Sequence, residues 1–131
     1  MNIYLDIDGV LITKDGQPAN YVGEFLEYMV SNHDVYWLTT HCQGDNRQVI
    51  RYLANKLPKE CFQFLDKIQP TSWKTLKTEA IDYTKEFLWF DDYIMQSEIN
   101  ILEQNNVLRS FVQIDLKNEP DKLKDVEELE S

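Results

Sequence analysis

The sequence is poor in the residues that are typical of disordered or disulfide-rich secreted proteins, and it lacks the long apolar runs of membrane-spanning ones. It has four Gly, four Pro and two Cys among 131 residues, which excludes a low-complexity chain and a disulfide-stapled scaffold. No apolar run reaches the length of a bilayer-spanning helix, so no membrane partner is predicted. Residues 1–5 enter a strand-like run with no basic segment before it, which predicts a cytoplasmic protein without a cleaved signal peptide.

Basic residues are also scarce. The chain has 13 Lys and Arg against 23 Asp and Glu, for a formal net charge of −10. This charge disfavours nucleic-acid binding by overall electrostatics, although it does not exclude a local basic patch. Part of the acidic excess lies in residues 119–130, where a solvated helix face is predicted. Cys42 and Cys61 lie in unrelated contexts and are predicted to be free thiols.

The chain does contain a regular alternation of short apolar runs with longer amphipathic stretches. Hydrophobic residues make up 43% of it, enough to fill one core, so residues 1–131 are predicted to form a single domain. Strands are predicted at 2–8, 35–40, 87–92 and 111–115, with a weaker edge strand at 61–65. Helices are predicted at 21–32, 46–57, 73–83, 94–104 and 121–129. The alternation predicts an α/β fold, a three-layer α/β/α Rossmann-like arrangement with a mainly parallel five-stranded sheet and no cap domain.

Polar side chains follow three of the predicted strands at the point where each strand ends. Ligands of open parallel sheets bind beyond the carboxyl ends of the strands, near the point where strand order reverses. The residues at these ends are therefore the candidates for a functional site. They are Asp6 and Asp8 after the first strand, Thr39, Thr40 and His41 after the second, and Asp91 and Asp92 after the strand at 87–92.

The acids among these candidates predict a metal site. Asp6 and Asp8 stand at i and i+2 of an extended strand and lie on the same side of it, close enough to share a cation. If Asp91 and Asp92 end a neighbouring strand, four acids converge, and they repel one another unless a metal or bound protons neutralise them. Ligation by oxygen alone suits Mg²⁺, which is the predicted cofactor. The alternatives are an exposed Asp-Gly turn after the first strand and helix capping by the Asp91–Asp92 pair.

Four short motifs, taken in order, resemble the signatures of the haloacid dehalogenase superfamily. The Asp-Ile-Asp-Gly-Val segment at 6–10 resembles the first signature, and Trp-Leu-Thr at 37–39 resembles the second. The adjacent acids at 91–92 are similar to the fourth signature in its two-aspartate form. The third signature, a lysine ahead of that last strand, has two candidates in Lys74 and Lys77. The order and spacing of these elements extend the resemblance over roughly the whole chain.

This resemblance implies a Mg²⁺-dependent phosphohydrolase that works through an aspartyl-phosphate intermediate. Asp6 would attack phosphorus, and Asp8 would protonate the leaving oxygen and then activate water. Thr39 would donate its hydroxyl to a phosphate oxygen, and a lysine would balance the charge on the transferring group. Mg²⁺ would be held by Asp6, by the backbone of Asp8, and by Asp91 or Asp92.

The choice between the two lysines remains open at the level of sequence. Lys74 and Lys77 are three residues apart, so on a helix they would share one face. Lys77 is predicted to be the catalytic lysine because the sequence that follows it is more similar to the family's usual helix start. Lys74 is the alternative and a predicted substrate contact, as are Thr40 and His41. His41 could instead fix a neighbouring acid.

The spacing of the motifs also bears on the substrate. About 30 residues separate Asp8 from Thr39, and the helix at 21–32 takes up many of them, which leaves no room for a cap domain. The resemblance is therefore to the capless branch, whose partner is a phosphorylated substrate, either a small ester or a macromolecule. A polynucleotide 3′-phosphatase and a catalytically inactive binding module of the same fold are the alternative functions.

Two other classes of protein are disfavoured by the spacing and order of their motifs. Residues 42–47 resemble the loop of the cysteine phosphatases, but the interval between Cys42 and Arg47 is one residue too short to surround a phosphate. A signalling receiver also carries acids, a Thr and a Lys at the rim of a parallel sheet. Its phosphorylated acid follows the third strand, whereas here Asp66 follows the third predicted strand without any site pattern.

Overall fold

A parallel four-stranded sheet forms the centre of residues 1–125, the part of the chain that this computed structural model describes. Its strands are β1 (Asn2–Leu5), β2 (Asp34–Trp37), β3 (Phe87–Asp91) and β4 (Phe111–Gln113). They lie in the order β2-β1-β3-β4, and each neighbouring pair is parallel. Every residue of β1 and β3 is buried, because both strands are central and both of their faces are covered.

Helices cover both faces of the sheet. The α-helices are α1 (Val22–Asn32), α2 (Arg47–Leu53), α3 (Phe62–Leu65) and α4 (Gln96–Gln104). Ile3 and Leu5 of β1 belong to the apolar cluster that includes buried residues of α1, α2 and α3, whereas Tyr4 belongs to a second cluster with Leu102 of α4. Alternate residues of β1 thus face opposite layers, an arrangement compatible with a Rossmann-like fold. Within residues 1–125, no helix combines the length and the apolar character needed to cross a membrane.

The order of the strands places one end of β1 beside one end of β3. From β1 the chain passes through α1 to β2 on one side, and it later returns to β3 on the other side of β1. Strand order therefore reverses between β1 and β3, which is where open α/β sheets bind their ligands. The register pairs Leu5 with Phe90, so Asp6 and Asp91 follow side by side at this edge.

The predicted five-stranded sheet is wrong by one strand. Residues 61–65 form no strand; they continue a 3₁₀ turn at Lys59–Cys61 into α3, and the buried residues are Cys61 and Leu65. These two residues are four apart, the spacing of one helix face, and a short apolar run of this kind does not distinguish strand from helix by sequence. The position beside β2 is instead taken by a single-residue parallel bridge between Tyr36 and Gln69.

The predicted helix at 73–83 is also wrong. The structure has only a 3₁₀ turn at Lys77–Ala80 in this region. The carboxylate of Glu79 accepts hydrogen bonds from the backbone N–H groups of Lys74, Thr75 and Leu76, which are thereby satisfied without a helix. Lys74 and Lys77 therefore do not share a helix face.

The remaining helices agree with the sequence prediction to different extents. The helices predicted at 21–32 and 94–104 are confirmed as α1 and α4. The helix predicted at 46–57 ends early, at Leu53, and turns follow it. Of the helix predicted at 121–129, Lys122–Asp125 forms a 3₁₀ turn, and the residues after 125 lie outside the described part of the chain.

Candidate active site

Three carboxylates converge where β1 and β3 end. Asp6, Asp91 and Asp92 each offer an oxygen atom, and these atoms lie within 4.8 Å of one another. The backbone N–H of Asp6 donates to the carbonyl of Phe90 at 3.0 Å, so the pairing of the two strands continues to the site and fixes the backbone there. Asp6 and Asp91 are buried, and Asp92 is partly exposed at the rim. The predicted convergence of four acids is therefore present for three of them, whereas the carboxylate of Asp8 lies outside the cluster and contacts other residues.

Lys77 lies between two of these carboxylates. Its Nζ atom is 2.7 Å from Oδ2 of Asp91 and 3.5 Å from Oδ1 of Asp6, and only 16% of its side chain is exposed. Lys77 is thus the lysine that the structure places at the acid cluster. Lys74 is exposed at the surface.

Burial raises the pKa of all three acids above the ordinary carboxyl value. At Asp91 the charge of Asp6 adds to burial, and the pKa rises to about 6 although Lys77 acts in the opposite direction. Burial alone would lower the pKa of Lys77, but the charges of Asp6 and Asp91 outweigh it and raise that pKa. One lysine therefore does not offset the cost of three clustered negative charges, and a bound cation would reduce that cost.

A buried glutamate holds the segment that carries Lys77. The carboxylate of Glu98, which is 3% exposed, accepts hydrogen bonds from the backbone N–H of Lys77 and from that of Met95, each at 3.1 Å. Met95 directly precedes α4, so one side chain joins the start of this helix to the 3₁₀ turn of the lysine. Glu98 thereby fixes the backbone from which Lys77 reaches the site.

Gly9 makes room for Asp92. Its backbone has φ +82°, a left-handed conformation that side chains other than glycine's rarely adopt. A Cβ atom at this position would lie 2.6 Å from Oδ2 of Asp92. The Asp-Gly pair of the first motif therefore lets the rim carboxylate approach the backbone that follows β1.

Asp8 is held by two aromatic residues. The hydroxyl of Tyr52 donates to Oδ1 of Asp8 at 2.6 Å, and Nε2 of His41 is 2.8 Å from Oδ2. The rings of His41 and Tyr52 stack with centroids 3.8 Å apart. The hydrogen bond to Asp8 is the largest of the effects that raise the pKa of Tyr52 to about 12. Of the two sequence interpretations of His41, the structure shows the contact with a neighbouring acid.

The two threonines after β2 have different surroundings. Thr39 is fully buried, and its Oγ1 atom accepts a hydrogen bond from the backbone N–H of His41 at 3.3 Å. Thr40 is exposed. The structure thus places Thr39 at the base of the loop that carries His41, and Thr40 on its outer surface.

Two residues that contact the candidate site were not predicted from the sequence. Tyr52 lies in α2, 44 positions from the acid that it contacts, and its spacing fits no catalytic motif. Glu98 stands three residues after Met95, and an acid in the first turn of a predicted helix is a recognisable capping signal. That signal predicts the bond to Met95 but not the bond to Lys77, which depends on the tertiary fold.

The structure does not support a nucleophilic role for Cys42. This thiol is buried, and its Sγ atom donates to the carbonyls of Asp45 and Thr71. Burial raises its pKa, whereas a nucleophilic cysteine needs a lowered one. Like Cys61, it is a buried free thiol, as predicted.

A groove of about 620 Å³ opens beside the acid cluster. Gly9 and Asp92 form the part of its lining nearest the cluster, and residues 13–15 and 113–118 form the rest. A tight turn at residues 14–16 forms one wall, with the N–H of Thr13 donating to the carbonyl of Gln17 at 2.8 Å. The groove has lysines and aspartates on its walls, and its size is sufficient for a polar organic group next to the cluster.

No protein-family model, curated protein or solved structure matches this chain. Its function is therefore inferred from the geometry and chemistry of the site.

Proposed function

We propose that this protein is a metal-dependent phosphohydrolase that transfers a phosphoryl group to Asp6 and then to water, in the manner of capless haloacid dehalogenase-type phosphatases. The observation that carries the proposal is the placement of Lys77 between Asp6 and Asp91 at the point where strand order reverses. A buried cation beside a carboxylate nucleophile is the arrangement that an anionic, phosphorylated substrate needs.

The donor set fits a hard divalent cation such as Mg²⁺. The three clustered groups are carboxylates, and hard cations of this kind prefer oxygen ligands. Asp91 already accepts hydrogen bonds from Lys77 and from the indole of Trp89, so Asp92 is the freer of the two adjacent acids. Asp6, Asp92 and the backbone of Asp8 would hold the ion, which would neutralise charge on the phosphoryl oxygens when bound.

The residues of the chain divide the reaction into two displacements. In the first, a carboxylate oxygen of Asp6 forms a bond to phosphorus while the bond to the leaving oxygen breaks, and Asp8 gives that oxygen a proton. In the second, Asp8 takes a proton from water, the water oxygen attacks phosphorus, and the Asp6 carboxylate is released with inorganic phosphate. Lys77 offsets the charge of the transferring group throughout, and Thr39 is the proposed donor to a phosphate oxygen.

The chain between β1 and β2 supports an open site. It contains the turn around residue 15 and α1, with no inserted domain between them. An open site is accessible to a small phosphate ester and to a phosphorylated macromolecule. The net charge of −10 disfavours a polynucleotide end among the latter.

The decisive experiment is hydrolysis of 4-nitrophenyl phosphate with and without Mg²⁺, by the wild-type protein and by Asp6→Asn. We expect turnover that requires the metal and falls by about a thousandfold or more in Asp6→Asn, because the amide is not a nucleophile. Asp66→Asn, at an exposed position after α3, is the matched control and should retain wild-type activity. If the wild-type protein shows neither turnover nor Mg²⁺-dependent binding of beryllium fluoride, the proposal is wrong and an inactive binding module is favoured.

A further inference from the structure

We infer that Tyr52 is a positioning residue, which holds the carboxyl group of Asp8 in the orientation needed for proton transfer to the leaving group. The inference rests on the proposed function, because it assigns Tyr52 a part in the step that Asp8 performs.

Asp8 needs such a partner because it lies outside the acid cluster. About half of its side chain is exposed, whereas Asp6 and Asp91 are buried among fixed neighbours. An exposed aspartate samples several rotamers, and a proton donor must stay within hydrogen-bond distance of the oxygen that it serves. The hydroxyl of Tyr52, at 2.6 Å, restricts Asp8 through one oxygen, and His41 restricts it through the other, at 2.8 Å.

Tyr52 is itself fixed in place. It belongs to α2, its ring stacks on that of His41 with an interplanar angle of 17°, and Nζ of Lys56 lies 4.3 Å above the ring centroid. Contacts to both the ring and the hydroxyl therefore define its position. A phenol is a hydrogen-bond donor at neutral pH, so this contact restrains Asp8 without adding a charge beside it.

Two bonds to the carboxyl group of Asp8 still leave it able to react. Each carboxylate oxygen has two lone-pair directions, and each of the two partners uses one of them. A position on each oxygen thus remains for the proton that passes to the leaving group. The restraint favours the orientation for transfer without blocking the transfer, and a displacement of about 1 Å at such a group costs about a hundredfold in rate.

This role makes a specific prediction about leaving groups. Protonation by Asp8 matters greatly for an alkyl phosphate, whose leaving alkoxide is a strong base, and little for 4-nitrophenyl phosphate, whose leaving phenolate is weakly basic. Removal of the Tyr52 hydroxyl should therefore lower kcat/KM more for the alkyl ester than for the aryl ester. A purely structural role would lower both by the same factor.

The test compares Tyr52→Phe with wild type on 4-nitrophenyl phosphate and on a simple alkyl phosphate, with Mg²⁺ present. We expect kcat/KM to fall about tenfold or more for the alkyl ester and less than about threefold for the aryl ester. Tyr36→Phe removes a hydroxyl from a half-buried ring of β2 and should change neither value.

A second arm repeats the substitution in the Asp8→Asn background, with both esters as substrates. If Tyr52 acts through Asp8, its removal should have no further effect there. Equal losses on both esters, or a full additional loss in the Asp8→Asn background, would overturn the inference while leaving the phosphohydrolase intact. Absence of wild-type turnover on either ester would instead overturn the proposed function, and the inference with it.

Discussion

Of the residues in the site, Asp91 has the surroundings that most clearly disfavour a charged side chain. It is 2% exposed, it faces Asp6, and its pKa is raised to about 6. Its Oδ2 atom accepts hydrogen bonds from Lys77 and from the indole of Trp89. These donors fix the position of the carboxylate, but they do not offset the free-energy cost of burying its charge.

The raised pKa of Asp91 predicts how the stability of the metal-free protein changes with pH. Between about pH 4 and pH 6 the folded state holds a proton on Asp91 that the unfolded chain releases, so stability falls as pH rises through this range. Asp91→Asn removes this group. We expect the free energy of unfolding of wild type relative to Asp91→Asn, measured by urea titration in EDTA, to fall from pH 4 to pH 6.

The comparison with Asp91→Asn separates the contribution of Asp91 from that of acids outside the site. Asp45, Asp82 and Asp115 have lowered pKa values because of local hydrogen bonds, and they contribute in the opposite direction in both proteins. A difference between the two proteins that rises with pH, or stays constant, would contradict the prediction.

Two glycines allow the clash at Asp92 to be separated from backbone strain. Gly9 and Gly44 have nearly the same left-handed φ, +82° and +85°, but an added Cβ would meet Asp92 only at Gly9, and Gly44 has open space around it. Gly44→Ala should cost about 1–2 kcal/mol of stability and leave Mg²⁺ binding unchanged. Gly9→Ala should cost more and should abolish the rise in melting temperature that Mg²⁺ gives to wild type.

Calorimetry with and without Mg²⁺ would measure the stability of each variant and the rise in its melting temperature that Mg²⁺ causes. The prediction concerning Gly9 is wrong if Gly9→Ala responds to Mg²⁺ as Gly44→Ala does.

At the scale of the helices and strands, the sequence was most informative where burial is complete. β1 and β3 are buried throughout, and both lie within the strands predicted at 2–8 and 87–92. Their polar ends were predicted as well, because an acid at the end of a buried strand is easily recognised in the sequence. The wrong element types were predicted at 61–65, a short apolar run, and at 73–83, an amphipathic segment assigned as a helix. Hydrophobic periodicity decides neither case. At 61–65 it does not distinguish strand from helix, and at 73–83 the carboxylate of Glu79 satisfies the backbone N–H groups of residues 74–76 without a helix.

The same limit applies to the candidate site. The acids were predicted because they follow strand ends, and Lys77 because the residues after it resemble the family's usual helix start. The structure brings Asp6, Asp91, Asp92 and Lys77 together, whereas Asp8 lies outside this cluster. Tyr52 was not predicted, because its contact with Asp8 depends on how α2 packs on the sheet. Acids at the ends of buried strands and a lysine in a recognisable motif were therefore predictable, and partners supplied by packing were not.

Glu98 provides a prediction at the scale of these elements, because it joins α4 to the turn that carries Lys77. Glu98→Ala leaves two backbone N–H groups without their acceptor, at a buried position. We expect a loss of about 1–3 kcal/mol in the free energy of unfolding and a fall in kcat of about tenfold as Lys77 loses its fixed backbone.

Glu103→Ala, at an exposed position of the same helix, is the matched control and should change stability by no more than about 0.5 kcal/mol. Urea titration and turnover of 4-nitrophenyl phosphate measure the two effects. Equal behaviour of the two variants would show that Glu98 does not position Lys77.

At the scale of the whole molecule, the net charge of −10 opposes the approach of an anionic substrate. Added salt screens this long-range repulsion, whereas the short contacts around Lys77 are partly buried and are screened less. We therefore expect kcat/KM for 4-nitrophenyl phosphate to rise by about two- to fivefold between 20 and 200 mM KCl at constant free Mg²⁺.

Stopped-flow or steady-state kinetics at several salt concentrations would measure this rise. A fall in kcat/KM with salt would mean that local positive groups, such as the lysines of the groove, dominate the approach of substrate over the charge of the whole protein.

The single-residue bridge at Gln69 has a consequence for association between molecules. Gln69 donates its N–H to the carbonyl of Val35 and accepts from the N–H of Trp37, both at 2.9 Å, and the hydroxyl of Thr71 donates to the carbonyl of Trp37. Pro70, between them, has no N–H to offer to a further strand. The outer side of β2 is thus occupied by a segment too irregular to extend the sheet. A strand from a second molecule would have to displace that segment first, which protects this edge from ordered aggregation.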